Sequence, residues 1–406
     1  MDSPFRAAYN ARYSDAFYAA YTGELSRRLG CSIPFRVAET PFFMPTALRD
    51  NLAEAAREIV TQITEPSLVA RLKKAIPGHL DVPRMDDLPN CVQVDFAVTE
   101  NAEGKLEGKV VELQAFPSLY ALMVIQHEAL LDTMRTEMPE LNRELSIYFS
   151  GLDRSSFVER FRRAVVHDED PAEVVLLDLH PETQKTFPDF AATKMLLDVD
   201  SICPTELVKQ GRKLYRKRDG KLIQVKRIYN RIVFDELERE ATALPFGYTD
   251  DLDVTWCSHP NWYWVLSKYT LPFVDHPAVP KARTLKDIGS DIPEDLSKYV
   301  LKPLFSYAGA GVIVDVTPKD VHAIPDDQRA GWLLQEKIAY HPGILMPDGN
   351  KVKAEVRMMF LRAPDDDRPT LVLNLVRLSR GNMLGVDQNK NLTWVGGSVG
   401  LFAPGA

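Results

Sequence analysis

Cysteine is scarce: four residues in 406, Cys31, Cys91, Cys203 and Cys257, lie far apart with no CxxC pair. That spacing excludes the dense disulfide framework of small secreted domains and fits a reducing cytoplasm. Long apolar runs are missing as well. Nowhere do 18 uninterrupted apolar residues occur, and the opening stretch MDSPFRAAYNARYSDAF carries charge and proline where an export signal needs apolar residues. Neither export nor membrane spanning is expected. Positive charge is not in excess: 49 Lys and Arg stand against 57 Asp and Glu, a net charge of -8 that repels polyanions. Nucleic acid is therefore not expected as a partner.

Several catalytic signatures are absent too. GxxxxGK[ST] and GxGxxG both fail, and the eight histidines include no HExxH, so zinc is not expected. His127, followed by Glu128, reads as helix surface. There is no internal repeat and no low-complexity tract.

What remains is a chain long enough for two or three structural units with a cleft between them. Residues 3–29 read as one helix ended by Gly30, and residues 46–63 as a second after a loop with two prolines. Val92–Val98 alternates, Glu103-Gly104 and Glu107-Gly108 can turn the chain, and Lys109–Leu113 returns, which predicts an antiparallel hairpin. A helical region over 119–149 follows. The apolar run Val174–Leu179 and a helix-like segment 181–197 suggest an α/β layer. Arg212–Arg227 is strongly basic, yet Asp219-Gly220 between two Leu-, Ile- and Val-bearing runs predicts a hairpin. If it borders the cleft, its charge could attract an anionic substrate. Strand-like runs recur at 299–303, 306–314 and 332–338, then at 354–361 and 370–379, around the acidic turn Asp365–Asp367. The mixture makes α+β the expected class.

Two constellations carry chemistry. Around Ser306, Gly309 and Gly311 would let backbone amides approach a phosphate without a Cβ in the way, or simply mark a tight turn. Lys302 precedes them on an apolar strand, where an ammonium is costly to bury without an anion, unless it points to solvent. Lys268 is a similar case. In the predicted hairpin, Glu112 and Gln114 share one strand face and Asp95 can join them from the neighbouring strand. Two carboxylates and an amide oxygen suit Mg²⁺, and a solvent-facing polar row is the alternative. Arg231 and Arg357 could each hold a substrate carboxylate or be ordinary strand arginines.

Taken together, these segments resemble the ATP-grasp superfamily of carboxylate-amine ligases. The metal-type strands precede the lysine and glycine elements by nearly two hundred residues, so the chain resembles the circularly permuted members, eukaryotic-type glutathione synthetase and glutathionylspermidine-synthetase-like proteins. Val300–Pro303 and Leu334–Ile338 are similar to the former's lysine strand and hinge. Gln114 stands where the family usually has Asn, and Ser306 near where it has a metal-binding glutamate.

The resemblance implies a permuted ATP-grasp fold with an inserted α/β substrate-binding unit: helices and the metal strand pair over 1–150, the substrate unit over 151–255, the lysine and glycine-loop part over 256–340, and closing strands over 341–406. It further implies that Lys268 and Lys302 hold ATP phosphates under the loop of Ser306, Gly309 and Gly311. Gln335, Glu336 and Ile338 would line the adenine hinge, Glu355 would contact ribose, and Asp95, Glu112 and Gln114 would hold Mg²⁺. Arg231, Arg357 and Lys302 would act on the acyl substrate and transferred phosphate, with Arg377 and Arg380 as further arginine candidates. The activity implied joins a small-molecule carboxylate to an amine. A small-molecule kinase and a catalytically silent relative are the alternatives, and a monomer or a homodimer is equally compatible.

Overall fold

The computed structural model describes residues 4–141, 143–240, 242–306, 310–381 and 392–403. The first expected helix is two, α1 (Pro4–Arg12) and α2 (Asp15–Leu29). Ser14 makes the break: it is extended, and its hydroxyl accepts from the Phe17 amide at 3.1 Å, a cap that starts a new helix. Gly30, at φ 66°, ends α2 as expected. α3 (Thr46–Ile63) has the expected span and buries Leu48, Leu52, Ala56, Ile59 and Ile63 at helical spacing.

That apolar stripe lies against a hairpin of β1 (Cys91–Glu100) and β2 (Leu106–Gln114), in which Asp95 pairs with Glu112 and Gln93 with Gln114. After Asp95 the register shifts, so that Phe96 faces Val110 and Val111 is the extra residue of a bulge. Only the first of the two expected turns forms. Gly104 is left-handed at φ 75°, whereas Gly108 lies within β2, pressed under α3.

The helical region beyond is shorter than expected: α4 (Tyr120–Glu137) gives way to a single tight turn, Pro139–Leu141. His127 on α4 is buried with Nε2 3.1 Å from the Leu145 carbonyl oxygen, not on a helix surface. Residues 145–149 are what cover it. α5 (Arg154–Val165), where no element was expected, is opened by a reciprocal Asp153–Ser156 cap and buries Phe157, Phe161, Ala164 and Val165. Its Arg160 and Arg163 pair with Asp366 and Asp365 of the acidic turn.

Next come β3 (Val174–Leu177), α6 (Phe187–Leu197), β4 (Asp200–Ile202), β5 (Arg227–Asn230) and β6 (Thr255–Cys257), the strands forming a wholly parallel sheet in the order β6-β5-β3-β4. The basic hairpin forms between β4 and β5, with Asp219 and Gly220 both at positive φ as its two-residue turn requires. Its charge is largely answered locally: Arg212 meets Asp251 and Asp253, Arg216 meets Asp200, and Lys226 meets Glu173.

β7 (Ala282–Thr284), β8 (Tyr299–Pro303) and β9 (Trp332–Glu336) make a small antiparallel sheet in the order β7-β9-β8. The strand expected over 306–314 is absent among the described residues, where only the bridge between Leu301 and Ile313 occurs. The chain then returns to the first sheet. β10 (Lys351–Leu361), β11 (Thr370–Ser379) and β12 (Gly396–Ser398) extend it to the order β12-β11-β10-β1-β2, with Arg357 opposite Asp95. The protein thus mixes helices with parallel and antiparallel sheets. No helix among the described residues is long and apolar enough to cross a membrane.

A Cβ on Gly108 would stand 2.4 Å from Leu52 Cδ2 and 2.8 Å from Phe96 Cδ1. Gly108→Ala should therefore lower the unfolding free energy by roughly 1–3 kcal/mol, read from urea midpoints. A variant as stable as the wild type would show that α3 can retreat from the hairpin.

Candidate functional site

β2 is the edge of its sheet, and the bulge at Val111 leaves backbone groups of two successive residues unpaired by β1. The small sheet seats on that edge. The Val110 amide donates to the Ala278 carbonyl at 2.7 Å, Lys302 Nζ donates to the Val111 carbonyl at 3.2 Å, and Gln335 Nε2 donates to the Val110 carbonyl at 3.4 Å. Strands expected at opposite ends of the chain are thereby locked edge to face.

Lys268 enters from a tight helical turn, Lys268–Phe273, capped by Ser267. Its Nζ donates to the Ser306 carbonyl at 2.7 Å and to Ser306 Oγ at 3.3 Å, and stands 3.6 Å from Glu112 Oε1. Glu112, Gln114, Phe116, Tyr263, Lys268 and Ser306 line a cleft open to solvent. Lys268 and Lys302 are only 5% and 8% exposed, yet Glu112 is the one carboxylate within ion-pair reach of either among the described residues. Burial drives the Lys302 ammonium down to about 8; Glu112 and Glu355 oppose this, and the neighbouring charge of Lys268 adds to it. Lys268 has the partly exposed Glu112 and the neighbouring buried Lys302 has only the Val111 carbonyl, so this region is short of negative charge, which suits an anion.

Asp95, Glu112 and Gln114 do share a face, but Asp95 is committed elsewhere. Arg357 grips it bidentately, Nε to Oδ1 at 2.6 Å and Nη2 to Oδ2 at 2.7 Å, and Arg377 also reaches Oδ2. Burial would raise the Asp95 carboxyl; the two guanidinium groups outweigh it and hold the carboxyl below its ordinary range. Arg377 further pairs with Glu355 at 2.8 Å, and Glu355 accepts from the Tyr340 hydroxyl at 2.7 Å. The Gln114 amide meets that of Gln93 and, with its oxygen toward Arg357, accepts from Nη1 at 3.0 Å. Among the described residues no three His, Cys, Asp or Glu side chains gather as metal ligands. Of the three expected ligands only Glu112 keeps an oxygen that no arginine holds, since the Gln114 oxygen, like Asp95, is engaged by Arg357.

The expected arginines divide by burial. Arg231 is buried between the rings of Phe116 and Phe190 and pairs with Asp189 at 2.8 Å, so an internal acid takes the place of the expected substrate carboxylate. Asp189 also accepts from the Leu119 and Leu122 amides, tying β5 to the start of α4. Arg357 is likewise occupied, by Asp95. Arg377 keeps about a third of its side chain exposed, and Arg380 pairs with Asp348. Of the hinge residues, Gln335 is wholly buried, Glu336 is tied to Lys281 through its amide and Oε2, and Ile338 is half-buried. Glu355, the expected ribose contact, is bonded instead to Tyr340 and Arg377. Gly311 sits at φ 73° with Pro303 Cγ only 2.8 Å from where a Cβ would be, so the position requires glycine. Gly309 lies outside the described residues.

One cluster escaped the sequence reading. In the parallel sheet the chain runs from β3 to β4 on one side and to β5 and β6 on the other, so the order reverses between β3 and β5, where α/β sheets hold ligands beyond their carboxyl ends. Asp178, Asn230 and Ser258 follow β3, β5 and β6 there, all buried, and Asn230 Oδ1 and Ser258 Oγ have no partner among the described residues. Burial, with Glu236 and Glu240 nearby, pushes Asp178 up to about 7 against the opposing Arg231. The available signal was a polar residue closing each apolar strand run.

No family model matches the chain, and no curated protein matches it. Among solved structures it is similar to a glutathione synthetase-like effector from Globodera pallida in its apo form, with a TM-score of 0.55 and 12% identity over 93% of this chain and 96% of that one. At this identity the likeness is one of fold, and the fold is glutathione synthetase-like.

Lys302 loses its proton near pH 8 when folded and near 10.5 when unfolded. Between these values the unfolded chain binds the extra proton, so this residue's contribution makes stability rise with pH; below 8 its full penalty is present. Lys302→Met should be more stable than the wild type by roughly 1–3 kcal/mol at pH 7, an advantage that shrinks toward pH 10. Urea midpoints across pH 7–10 measure the difference, and a less stable variant at pH 7 would contradict the assignment of a strained cation.

Proposed function

We propose that the cleft takes the triphosphate of ATP together with Mg²⁺, and that the protein is an ATP-dependent ligase joining a carboxylate to an amine on a circularly permuted ATP-grasp scaffold. The observation that carries this reading is the burial of two lysines from separate elements beside Glu112: Lys268 within 3.6 Å of the acid and bonded to Ser306, and Lys302 bonded to the carbonyl of the preceding Val111. The glutathione synthetase-like fold supports it.

In this reading Lys268 and Lys302 would neutralise the phosphates beside Ser306 and Gly311. Glu112 would hold Mg²⁺, which would supply charge neutralisation on the transferring phosphoryl group, with the Gln114 amide, already engaged by Arg357, next to it. Asp95 orients Arg357 and Arg377 rather than binding metal, and Arg377, about a third exposed although paired with Asp95 and Glu355, would be the arginine to meet the acid substrate. A carboxylate is a poor electrophile at neutral pH. Transfer of the γ-phosphoryl group to it gives an acyl phosphate; the amine then attacks the carbonyl, the C–N bond forms, and phosphate leaves. Such transfer relies on positioning and electrostatics more than on covalent help. Excluding water protects the acyl phosphate. The carboxyl edge of the parallel sheet, with Asp178, Asn230 and Ser258, is where the substrates would be oriented, making residues 151–255 the substrate unit.

One observation favours a second reading, a nucleotide-binding protein without catalysis: Asp95 is neutralised by two arginines, which leaves a single carboxylate for metal. Incubation with ATP, Mg²⁺ and pooled amino acids and polyamines separates the readings. A ligase releases ADP and phosphate with an amide product, a kinase leaves the phosphate on its substrate, and tight binding without ADP supports the silent relative. Lys302→Ala and Glu112→Ala should each abolish ADP formation while circular dichroism stays unchanged. Near-normal turnover in either variant would refute this site.

A further inference from the structure

A second hollow, which shares no lining residue with the lysine cleft, opens where the last turns of α3 face the end of β10 and the start of β11. It measures about 220 Å³. β11 carries one residue more than β10 there: Met359 pairs with Leu373 and Phe360 with Leu371, so Val372 is the extra residue of a bulge. Residues 149 and 150 answer it. The Phe149 amide donates to the Val372 carbonyl at 2.9 Å, and the Ser150 hydroxyl donates to the Leu371 carbonyl at 2.8 Å. Val60, Phe360 and Leu371, all buried, form an apolar floor under the hollow.

The walls carry charge of one sign. Arg57 stands on α3 and Arg368 on the turn into β11, and no Asp or Glu among the described residues lines the hollow. Neither arginine has an acid partner among those residues: Arg57 Nη2 lies 3.5 Å from Ser150 Oγ, and Arg368 makes no side-chain bond at all. The chain has acids to spare, 57 against 49 Lys and Arg, yet Asp365 and Asp366, next to Arg368 in sequence, are turned to Arg163 and Arg160 of α5. The carbonyl end of α3, which would repel an anion, is covered, because the Thr64 amide and hydroxyl both donate to the Val60 carbonyl, at 3.2 and 2.6 Å. Thr61 and Thr370 add hydroxyl donors to the walls. Two guanidinium forks beside one apolar floor thus keep their N–H groups for an acceptor from outside the chain.

We infer that this hollow binds a small organic anion, a carboxylate or phosphate carried on one ring or on a chain of similar bulk. Arg57 and Arg368 grip the charged end, and Val60, Phe360 and Leu371 carry the apolar body. The volume sets the bulk: a cavity of about 150 Å³ is enough for benzene, so 220 Å³ admits a ring together with its charged group. Charge sets the sign, since a cation would meet two arginines and no acid. The site is separate from the lysine cleft, and its occupancy does not depend on the triphosphate reading.

The test is calorimetric titration of the full chain with phenyl phosphate and with benzoate, and separately with inorganic phosphate and benzyl alcohol, each of which offers half of the expected contacts. At least one ring-bearing anion should bind, the tighter of the two identifying the charged group, and its affinity should exceed that of inorganic phosphate about fivefold or more through the buried ring. Arg57→Gln and Arg368→Gln, both at exposed positions, should leave the urea midpoint in place and each weaken that binding event about tenfold, the scale of a charge-assisted hydrogen bond. Lys268→Ala, in the other cleft, should leave the event unchanged. The inference is overturned if neither ring-bearing anion binds, if every binding event is unaffected by both arginine substitutions, or if the event is lost in Lys268→Ala and so belongs to the lysine cleft. Inorganic phosphate or benzyl alcohol binding as tightly as the better ring-bearing anion would overturn it too, because one half of the site would then go unused.

Discussion

Strands Cys91–Glu100 and Lys351–Leu361 lie side by side although about 260 residues separate them, and the rest of the architecture depends on that seam. At its centre Arg357 closes on Asp95, flanked along the two strands by Val94, Phe96, Val356 and Met358. Hydrophobic pairing alone tolerates a shifted register poorly, because a slip of one residue turns every side chain to the other face. The ion pair adds a sharper penalty, since a slip would strand a charge in the interior. Once the seam is in register, the hairpin's outer strand becomes a free edge at a fixed position, and the small lysine-bearing sheet has somewhere to dock.

Docking there has a cost that stability alone would not select. The bulge at Val111 presents two carbonyls to Lys302 and Gln335, but one acceptor cannot satisfy an ammonium's three N–H groups and neither carbonyl can donate to the Gln335 oxygen. Burial depresses Lys302, and Gln335 Oε1 goes without a donor. Elsewhere the chain answers its charges: Arg231 with Asp189, Arg216 with Asp200, Arg160 with Asp366. Two buried lysines and an amide oxygen without a donor gathered at one place fit a site whose partner is not part of the chain, and the unpartnered Asn230 and Ser258 mark a second such place at the edge of the parallel sheet.

Elements whose signal is local were legible. The 46–63 helix, the 212–227 hairpin and the strands at 299–303, 354–361 and 370–379, the second of which begins three residues earlier at Lys351, follow from periodicity and turn chemistry, each written within a few consecutive residues. Others were hidden by competition between signals. Ser14 splits an otherwise continuous helical pattern, and α5 carries so many arginines that its Phe157 and Phe161 stripe was overlooked. The run after Ser306 looks strand-like in composition, yet among its described residues only the Leu301–Ile313 bridge forms, because Gly311 takes a positive φ that a strand does not supply.

The candidate site divides in the same way. Residue chemistry and short spacing were sufficient to single out Lys302, Lys268, Glu112 and Ser306, since a lysine within an apolar run and a carboxylate on an alternating strand are visible one at a time. Whether a charged group is free or already answered depends on what the fold brings to it. Asp95 could be a ligand until Arg357 and Arg377 arrive from the far end of the chain, and Arg231 could face a substrate until Asp189 does. Gln335 is one residue in a strand until its pairing with Val300 and its bond to Val110 fix which of its two ends remains. Sequence determines which groups exist and roughly which local element carries them; pairing between distant segments decides which are spent and which are left over, because Coulomb energy and hydrogen bonding act over a few ångströms in space, whatever the separation along the chain.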